Sequence, residues 1–311
     1  MSAAAEVLVP GLWPGPEHGT ELATPPVLAR VLGRGRLGSS DFAAWEDVVA
    51  SRLGFRHGAD GRRRWLAIPV ALQTGMTDMV ATAVEDLDAF EADALLAAAL
   101  PEVAAIGGRI WQVAAGLFEL ELEGQGRWDQ SPPSTGLGRP MRAPPLDSPA
   151  ARKMQVLANA VQMLWFRHPV NASRLARGRL PVQGLWFWSA GMPVTATAVH
   201  RIAGGGSVTR WLAEAAGVRW SADPLDPSAE LAVVLSLSRD EHRGRREELL
   251  QSLCADLVAP LLLRQRAGDV DALILHDPGC AMVRLDRADW RRFWRPPRRL
   301  TPLGDTVAAP R

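Results

Sequence analysis

One stretch in the middle of the chain carries the side chains that an anion-binding site needs. His168 and Asn171 are followed by Arg174 and Arg177. Asn171 is a suitable N-cap for a short helix, on which the two arginines would share one face. Guanidinium groups pair strongly with phosphate and carboxylate oxygens. The pattern predicts either an anion site formed by these four side chains or a capped helix and a buried strand that bind nothing.

A run of glycines before a predicted helix offers a second place for a phosphate. Residues 204–207 read Gly-Gly-Gly-Ser, and backbone N–H groups at a helix N-terminus bind anions. The spacing differs from that of a dinucleotide-binding motif. We therefore interpret the run as a flexible loop in which Ser207 caps the helix.

The composition excludes several classes of enzyme. Lys153 is the only lysine among 35 basic residues, so the phosphate-binding loop of P-loop nucleotidases is excluded. The chain has no tyrosine and no Gly-x-Ser-x-Gly nucleophile motif. Its two cysteines, Cys254 and Cys280, cannot form a disulfide framework or a four-thiolate zinc site, and we expect Cys280 to be buried rather than reactive.

The His-Pro-Val-Asn run at 168–171, with the arginines and the apolar strand that follow it, resembles the RpfE-type regulatory protein family of bacteria. This family is often described as cofactor-independent phosphoglycerate mutase. Residues 8–12 and 32–35 are similar to the start of the family, and residues 256–266 and 291–295 to its end. The resemblance implies a bacterial protein with a regulatory role.

A more distant similarity is to archaeal-type phosphoglycerate mutases of the alkaline phosphatase superfamily, which carry a comparable His-Pro-Val-Asn block. It implies a related α/β core and, in an active enzyme, two manganese or magnesium ions. Asp240, His242 and Asp277 lie roughly where those enzymes place later metal ligands. Residues 9–11 read Val-Pro-Gly where such enzymes begin with Asp-Gly. We therefore expect a degenerate metal site and no cofactor.

The C-terminal part is rich in arginine and aromatic residues. Residues 284–299 contain seven arginines, interleaved with Trp290, Phe293 and Trp294. Basic and aromatic side chains together can bind single-stranded nucleic acid. The aromatic residues also have i, i+3, i+4 spacing, which predicts a helix that packs its aromatic face on the core. We prefer the second interpretation.

Hydrophobic periodicity indicates the elements that position these candidates. The N-terminal part contains a short strand, short helices and two hairpins around a helix: residues 7–9, 26–55, 65–73 with 79–84, 90–100, and 109–115 with 117–123. The C-terminal part alternates helices (153–166, 208–216, 241–266) with apolar strands (185–188, 231–237, 272–276). The alternation predicts one parallel, layered sheet that contains all three apolar strands.

The predicted fold class is α/β, with three regions along the chain. Residues 1–123 form a smaller α+β region with two hairpins, and residues 151–311 form an α/β region with a largely parallel layered sheet. Residues 124–150 are rich in proline, glycine and serine, which indicates a linker or a long surface loop. The C-terminal region is the one that we interpret as a degenerate phosphomutase-like domain.

These features favour a cytoplasmic, non-catalytic regulatory or ligand-binding protein. Its partner would be a small phosphorylated or carboxylate ligand rather than nucleic acid, since the net charge is only +1. Residues 180–199 carry no charge but contain prolines and glycines, which favours a buried strand and a loop over a membrane span. One alternative is an active metal-dependent phosphoglycerate mutase or phosphatase. Another is a nucleic-acid-binding regulator that uses residues 284–299.

Overall fold

The chain folds into two units whose sheets differ in kind. The computed structural model describes residues 4–14, 23–55, 62–74, 78–123, 131–141, 146–188, 199–235, 237, 243–292 and 294–301. Unit 1 comprises residues 1–45, 199–210 and 218–311, and unit 2 comprises residues 46–198 and 211–217. These bounds differ from the sequence-based division at 123 and 150, because the first strand of the chain pairs with strands from the C-terminal part.

Unit 1 contains a seven-stranded sheet. Its strands are β1 (Ala4–Leu8), β2 (Arg36–Ser39), β8 (Arg201–Gly204), β9 (Arg219–Ser221), β10 (Leu231–Val233), β11 (Ala272–Asp277) and β12 (Ala281–Asp286). The order across the sheet is β2-β12-β11-β1-β10-β8-β9. The strands from β11 to β9 are parallel, whereas β12 and β2 are antiparallel to their neighbours. This arrangement confirms the α/β fold class.

Three helical segments of unit 1 share a hydrophobic core with the sheet. They are α1 (Pro26–Arg34), α8 (Arg243–Ser252) and α9 (Ala259–Ala267), the last two joined by a π-helical segment, Leu253–Val258. Val31 of α1 and Leu261 of α9 are buried in one cluster with Val7 and Leu273 of the central strands. The long helix predicted over residues 241–266 is thus confirmed from residue 243 onward, with one irregular turn.

Strand β2 replaces part of the predicted helical region at 26–55. The chain leaves α1 at Gly35, where an added Cβ would lie 2.4 Å from Val283 Cγ1. Only glycine fits so close to the neighbouring strand. Residues 36–39 then pair with β12 and extend the sheet. The residues of β2 are half-buried or exposed, so they lack the apolar alternation by which sequence patterns reveal a strand.

Unit 2 contains an antiparallel sheet. Its strands are β3 (Arg62–Thr74), β4 (Met79–Ala83), β5 (Gly108–Ala114), β6 (Leu117–Glu123) and β7 (Gly184–Trp188). β3 pairs with β4, and β5 pairs with β6, which confirms both predicted hairpins. β3 also pairs with β6 and β7, so this long strand contacts every other strand of the sheet except β5, which lies beyond β6.

The helices of unit 2 cover its sheet and supply its core. They are α3 (Ala89–Ala105), α4 (Pro133–Gly136), α5 (Pro149–Phe166) and α6 (Pro169–Ala176). α2 (Trp45–Arg52) and α7 (Gly206–Ala215) contribute residues to both units. Leu95, Leu157 and Trp165 are buried with Phe187 in one cluster. Of the described helices, none is long and apolar enough to cross a membrane.

The prediction that residues 185–188 join the parallel sheet is wrong. β7 is antiparallel to β3, with Trp188 opposite Leu66 and Leu185 opposite Pro69. A short apolar run fits any strand that is buried on both faces, so its composition does not identify its sheet. The other two predicted strands do lie in the parallel sheet, as β10 and β11 on the two sides of β1.

The described parts of the proline-rich segment, residues 131–141 and 146–150, belong to unit 2. Trp186 Nε1 donates to the carbonyl oxygen of Ser131 at 2.8 Å, and Ser134 Oγ donates to Glu46 Oε2 at 2.7 Å. Pro140 forms a β-bridge with Val80. These contacts attach the segment to the unit on both sides of α4.

Glu46 makes the stability of unit 2 depend on pH. Burial raises the pKa of this carboxyl from 4.5 to about 7, although the bonds from Ser134 oppose the shift. The folded protein therefore favours the protonated form, and the stability that this group contributes is lost as the pH rises from about 4.5 to about 7. Between pH 5 and pH 8, we expect Glu46→Gln to gain up to about 3 kcal/mol in free energy of unfolding relative to the parent.

Denaturant unfolding at several pH values measures this difference. The exposed Glu214, also in unit 2, provides the control. Glu214→Gln should keep the pH dependence of the parent. If the pH profiles of Glu46→Gln and the parent run parallel, the buried carboxyl is not the titrating group.

Candidate functional site

Asn171 is buried in unit 2, with its amide bonded on both sides. Nδ2 donates to the carbonyl oxygens of Trp165 at 2.6 Å and of Val182 at 2.7 Å. Oδ1 accepts the N–H of Val182 at 2.7 Å. These bonds join the end of α5 to the segment that enters β7. The side chain that caps α6 is His168, whose Nδ1 accepts the N–H of Val170 at 3.3 Å.

The two arginines of the predicted anion site are paired with carboxylates of unit 2. Arg174 is fully buried, forms ion pairs with Glu91 and Asp86, and donates from Nε to the carbonyl oxygen of Leu180 at 2.7 Å. Arg177 pairs with the other oxygen of Glu91 at 2.6 Å. The structure thus brings the predicted residues together along α6, but it gives their charges protein partners. Their anion-binding role stays a prediction, and these contacts favour the structural alternative.

The candidate metal ligands are divided between described and undescribed residues. Asp240 and His242 lie outside the described residues. Asp277 ends β11, and its carboxylate accepts the N–H groups of Gly11 at 2.9 Å and Trp13 at 3.0 Å. Burial raises the pKa of Asp277 to about 6, which disfavours the charge that a metal ligand needs.

The described residues do not fit a two-metal site. Over this part of the chain, no group of three or more histidine, cysteine, aspartate or glutamate side chains is placed to hold a metal ion. Asp277 instead fixes the loop after β1, and Arg246 donates to the carbonyl oxygens of Gly11 and Leu12 in the same loop.

Three side chains at the sheet of unit 1 form a hydrogen-bonded chain that the sequence analysis missed. Ser40 Oγ lies 2.7 Å from His276 Nε2, and His276 Nδ1 lies 3.0 Å from Glu6 Oε1. Glu6 and His276 are buried, and Ser40 is half-buried. We call these residues the Ser40–His276–Glu6 relay. The sequence contains no signal for it, since Glu6, Ser40 and His276 come from distant parts of the chain and follow no local spacing.

The glycine run at 204–206 forms the turn between β8 and α7. All three glycines have positive φ, at 72°, 73° and 69°. At Gly205, an added Cβ would lie 1.9 Å from Thr209 Oγ1, and the N–H of this glycine already donates to the carbonyl oxygen of Val233 at 3.1 Å. α7 begins at Gly206. Ser207 is therefore the second residue of the helix, and the prediction that it precedes the helix as its N-cap is wrong. The glycines are needed for the tight turn itself.

The aromatic residues of the C-terminal part are only partly buried. Residues Arg287–Arg291 form a 3-10 helix, and Trp290 packs against the core of unit 1. Trp294 is 66% exposed, so the prediction of a continuous aromatic face is wrong for this residue. Pro296 and Pro297 follow after Arg295, and proline prevents a helix from continuing through this stretch. Phe293 lies outside the described residues.

An open pocket of about 410 Å³ lies beside Trp290. Its lining residues all belong to unit 1: Arg34, Gln265, Arg266, Arg287 and Trp290. We call this the basic pocket. The guanidinium carbons of Arg34 and Arg266 lie 5.1 Å and 4.8 Å from the centre of the indole ring, within the range of cation–π attraction.

The chain is similar in fold to two solved structures. One is a cofactor-independent phosphoglycerate mutase from Thermoplasma acidophilum, with 15% identity, a TM-score of 0.37, and coverage of 92% of this chain and 90% of the other. The second is the PH0037 protein from Pyrococcus horikoshii, with 14% identity, a TM-score of 0.42, and coverage of 92% and 87%. No protein-family model and no curated protein matches the chain.

The sequence pattern predicted only part of the basic pocket. Trp290 and the arginines around it were identified as a basic and aromatic segment, but Arg34 and Arg266 come from the last turns of α1 and α9. Arginines near helix ends are common because they interact favourably with the helix dipole. Nothing in the local sequence therefore distinguishes these two from ordinary surface residues.

Proposed function

We propose that this protein binds a small phosphorylated or carboxylate molecule in the basic pocket. The observation that carries the proposal is that three guanidinium groups line one pocket around a half-buried tryptophan. Guanidinium groups recognise phosphate and carboxylate oxygens through paired, charge-assisted hydrogen bonds. The pocket volume of about 410 Å³ lies within the range of small-molecule sites.

The charge balance of the basic pocket favours an anion. Arg287 lies 3.4 Å from Asp271, and both side chains are nearly half exposed. Arg34 and Arg266 form no ion pair with any residue that the structure describes, and both guanidinium groups lie over the Trp290 ring. Among the described residues, Asp271 is the one ion-pair partner of the three arginines that line the pocket, and a bound anion would compensate the remaining positive charge.

The walls of the pocket are held in place before any ligand binds. Gln265 is buried, and its Nε2 donates to the carbonyl oxygens of Leu285 at 2.7 Å and Asp271 at 3.2 Å. Its Oε1 accepts the indole N–H of Trp290 at 3.0 Å. The ring is therefore fixed in orientation and positions the two arginines that contact it. A preformed site loses less conformational entropy on binding.

This function involves neither a metal ion nor phosphoryl transfer. A regulatory protein of the RpfE type is what the sequence resemblance implies, and ligand binding without turnover is consistent with such a role. The nucleic-acid alternative receives less support, because the Trp290 ring is engaged by arginines of the protein rather than open to stack on bases.

Calorimetric titration with 3-phosphoglycerate, a small phosphorylated acid, tests the proposal. We expect Arg266→Gln to weaken its binding about tenfold to hundredfold, since a hydrogen bond to a charged group contributes about 1.5–3 kcal/mol. The matched control is Arg219→Gln, which removes the same charge from an exposed position of β9 that does not line the pocket. This variant should keep the affinity of the parent.

Two outcomes contradict the proposal. If Arg266→Gln and Arg219→Gln weaken the binding of 3-phosphoglycerate equally, the affinity depends only on the net charge of the protein. Metal-dependent interconversion of phosphoglycerates, in a parallel assay with manganese or magnesium, would replace a binding function with the enzymatic alternative.

A further inference from the structure

We propose that the Ser40–His276–Glu6 relay is a nucleophilic site that hydrolyses small carboxylic esters. The relay shares no residue with the basic pocket, so the inference goes beyond the proposed ligand binding and does not depend on it. A serine, a base in contact with it and a carboxylate in contact with the base constitute the arrangement that activates a hydroxyl group.

The order of the hydrogen bonds matches the order of the chemical roles. A carboxylate only accepts hydrogen bonds, so Glu6 Oε1, at 3.0 Å, favours the histidine tautomer with its proton on Nδ1. Nε2 is then an acceptor for the hydroxyl proton of Ser40, at 2.7 Å. The bond to Glu6 also orients the ring and compensates the positive charge that His276 gains on accepting the proton.

The backbone of the sheet positions the three side chains. β1 lies beside β11, with Leu8 opposite His276 and Glu6 opposite Ile274. Since side chains two residues apart share a face of a strand, Glu6 and His276 project to the same side of the sheet. Ser40 directly follows β2, whose Gly38 is opposite Met282 of β12, and Met282 is opposite His276. The relay thus crosses four adjacent strands on one face.

The exposure of the three residues decreases from the serine to the carboxylate and histidine. Ser40 is half-buried, whereas His276 and Glu6 are 1% and 6% exposed. Ser40 is therefore the most exposed member of the relay, and the groups that support it lie in surroundings of low polarity, where their interactions are strong. The buried Phe42 ring lies 6.1 Å from the His276 ring and contributes to these apolar surroundings.

A competing contact holds the serine in its resting position. Ser40 Oγ also lies 3.1 Å from the carbonyl oxygen of Phe42, and it accepts the N–H of Phe42 at 3.3 Å. The hydroxyl proton therefore has two acceptors, of which His276 Nε2 is the nearer. The N–H of Phe42 donates to the oxygen and so supports the negative charge that develops on it when the proton moves to His276.

The reaction divides into two balanced steps. In the first, Ser40 Oγ forms a bond to the ester carbonyl carbon and its proton moves to His276 Nε2; the bond to the alcohol oxygen then breaks, and the alcohol leaves with that proton. In the second, water attacks the acyl-serine and gives one proton to His276 Nε2. The bond to Ser40 Oγ breaks, the oxygen recovers the proton, and a carboxylic acid is released.

A fluorophosphonate probe, which forms a covalent bond with activated serines, tests the proposal on the full-length chain. We expect the probe to label Ser40, as located by peptide mass spectrometry, and p-nitrophenyl acetate to be hydrolysed. Ser40→Ala should abolish both activities. The matched control is Ser39→Ala, a half-buried serine one residue earlier, which should leave labelling and hydrolysis unchanged.

The roles of His276 and Glu6, the two buried residues of the relay, are tested by the rate at which the probe labels Ser40. His276→Gln and Glu6→Gln are expected to lower the maximal labelling rate about a hundredfold, the usual range for losing a general base or its orienting group. The probe concentration that gives half the maximal rate should stay unchanged, because Glu6 is a positioning residue that does not touch the probe. A loss through misfolding would instead appear as a lower melting temperature.

Three results would overturn the proposal. They are a folded parent protein that the probe does not label at Ser40, labelling that persists in Ser40→Ala, and an unchanged labelling rate in a folded His276→Gln variant. In each case the relay is a buried polar network that only satisfies the hydrogen bonds of Glu6. None of these results bears on binding in the basic pocket, which the Arg266→Gln titration tests separately.

Discussion

Replacing Arg174 with methionine is expected to lower the free energy of unfolding by about 3–5 kcal/mol, because a buried carboxylate loses its counter-charge. Arg174 is fully buried, and the Glu91 side chain that it pairs with is only 4% exposed. Without the guanidinium group, Arg177, which is 45% exposed, is the one cation partner that Glu91 keeps among the described residues. Chemical denaturation of the parent and the variant measures the difference.

Arg179→Met provides the matched control. Arg179 is 41% exposed and lies 3.6 Å from Asp86, one of the carboxylates that Arg174 also contacts. An exposed ion pair contributes less than about 1 kcal/mol, so this variant should unfold almost like the parent. If Arg174→Met and Arg179→Met lower the free energy of unfolding by similar amounts, burial does not determine how much an ion pair contributes to stability.

A double variant tests whether the loss comes from the unpaired charge of Glu91 rather than from the absence of the ion pair. Arg174→Met combined with Glu91→Leu removes both buried charges, and the double variant should be more stable than Arg174→Met alone. The recovery is expected to be incomplete. Glu91 also accepts the N–H of Asp88 at 3.4 Å and completes the capping box at the start of α3, which leucine cannot replace.

Replacing Trp165 with alanine is expected to cost about 3–5 kcal/mol, through lost burial and the cavity that remains. Trp165 is 1% exposed, and its Nε1 donates to the carbonyl oxygen of Leu95 at 2.9 Å. The side chain thus joins α5 to α3 within the core of unit 2. Thermal and denaturant unfolding should both register the loss.

The neighbouring Phe166 is the control, since it lies on the same helix and is 67% exposed. Phe166→Ala should change the free energy of unfolding by less than about 0.5 kcal/mol, as surface substitutions do. A third variant, Trp165→Phe, retains most of the apolar volume but leaves the Leu95 carbonyl without its donor. Its cost should fall between those of the other two. If Trp165→Ala and Phe166→Ala lower the free energy of unfolding equally, Trp165 is not a core residue of unit 2.

The anion-binding block illustrates how one sequence pattern fits two structures. Arg174 and Arg177 share a helix face as predicted, but both side chains bind Glu91 of α3. Glu91 precedes the two arginines by 83 and 86 residues in the chain. Guanidinium groups bind a carboxylate of the protein with the same geometry as one of a ligand. Spacing along a helix therefore identifies what a side chain can bind, and not which partner is present.

Local periodicity by itself determined the two hairpins of unit 2, the helices α3 and α5, and the strands β10 and β11. In residues 118–123 apolar and acidic side chains alternate strictly, a pattern that is typical of a strand with one buried face. Neighbouring residues carry this information, so no knowledge of the rest of the chain was needed.

The tertiary structure alone decided which sheet β7 joins and which groups meet at the relay and the basic pocket. Ser40 and His276 are separated by 236 residues, and Glu6 and His276 by 270. Contacts over such distances depend on strand order, and strand order depends on which apolar faces cover one another across the whole chain. The pattern of a single sequence identifies which faces of strands and helices are apolar. It does not identify which of these faces pack together, because many arrangements bury similar areas.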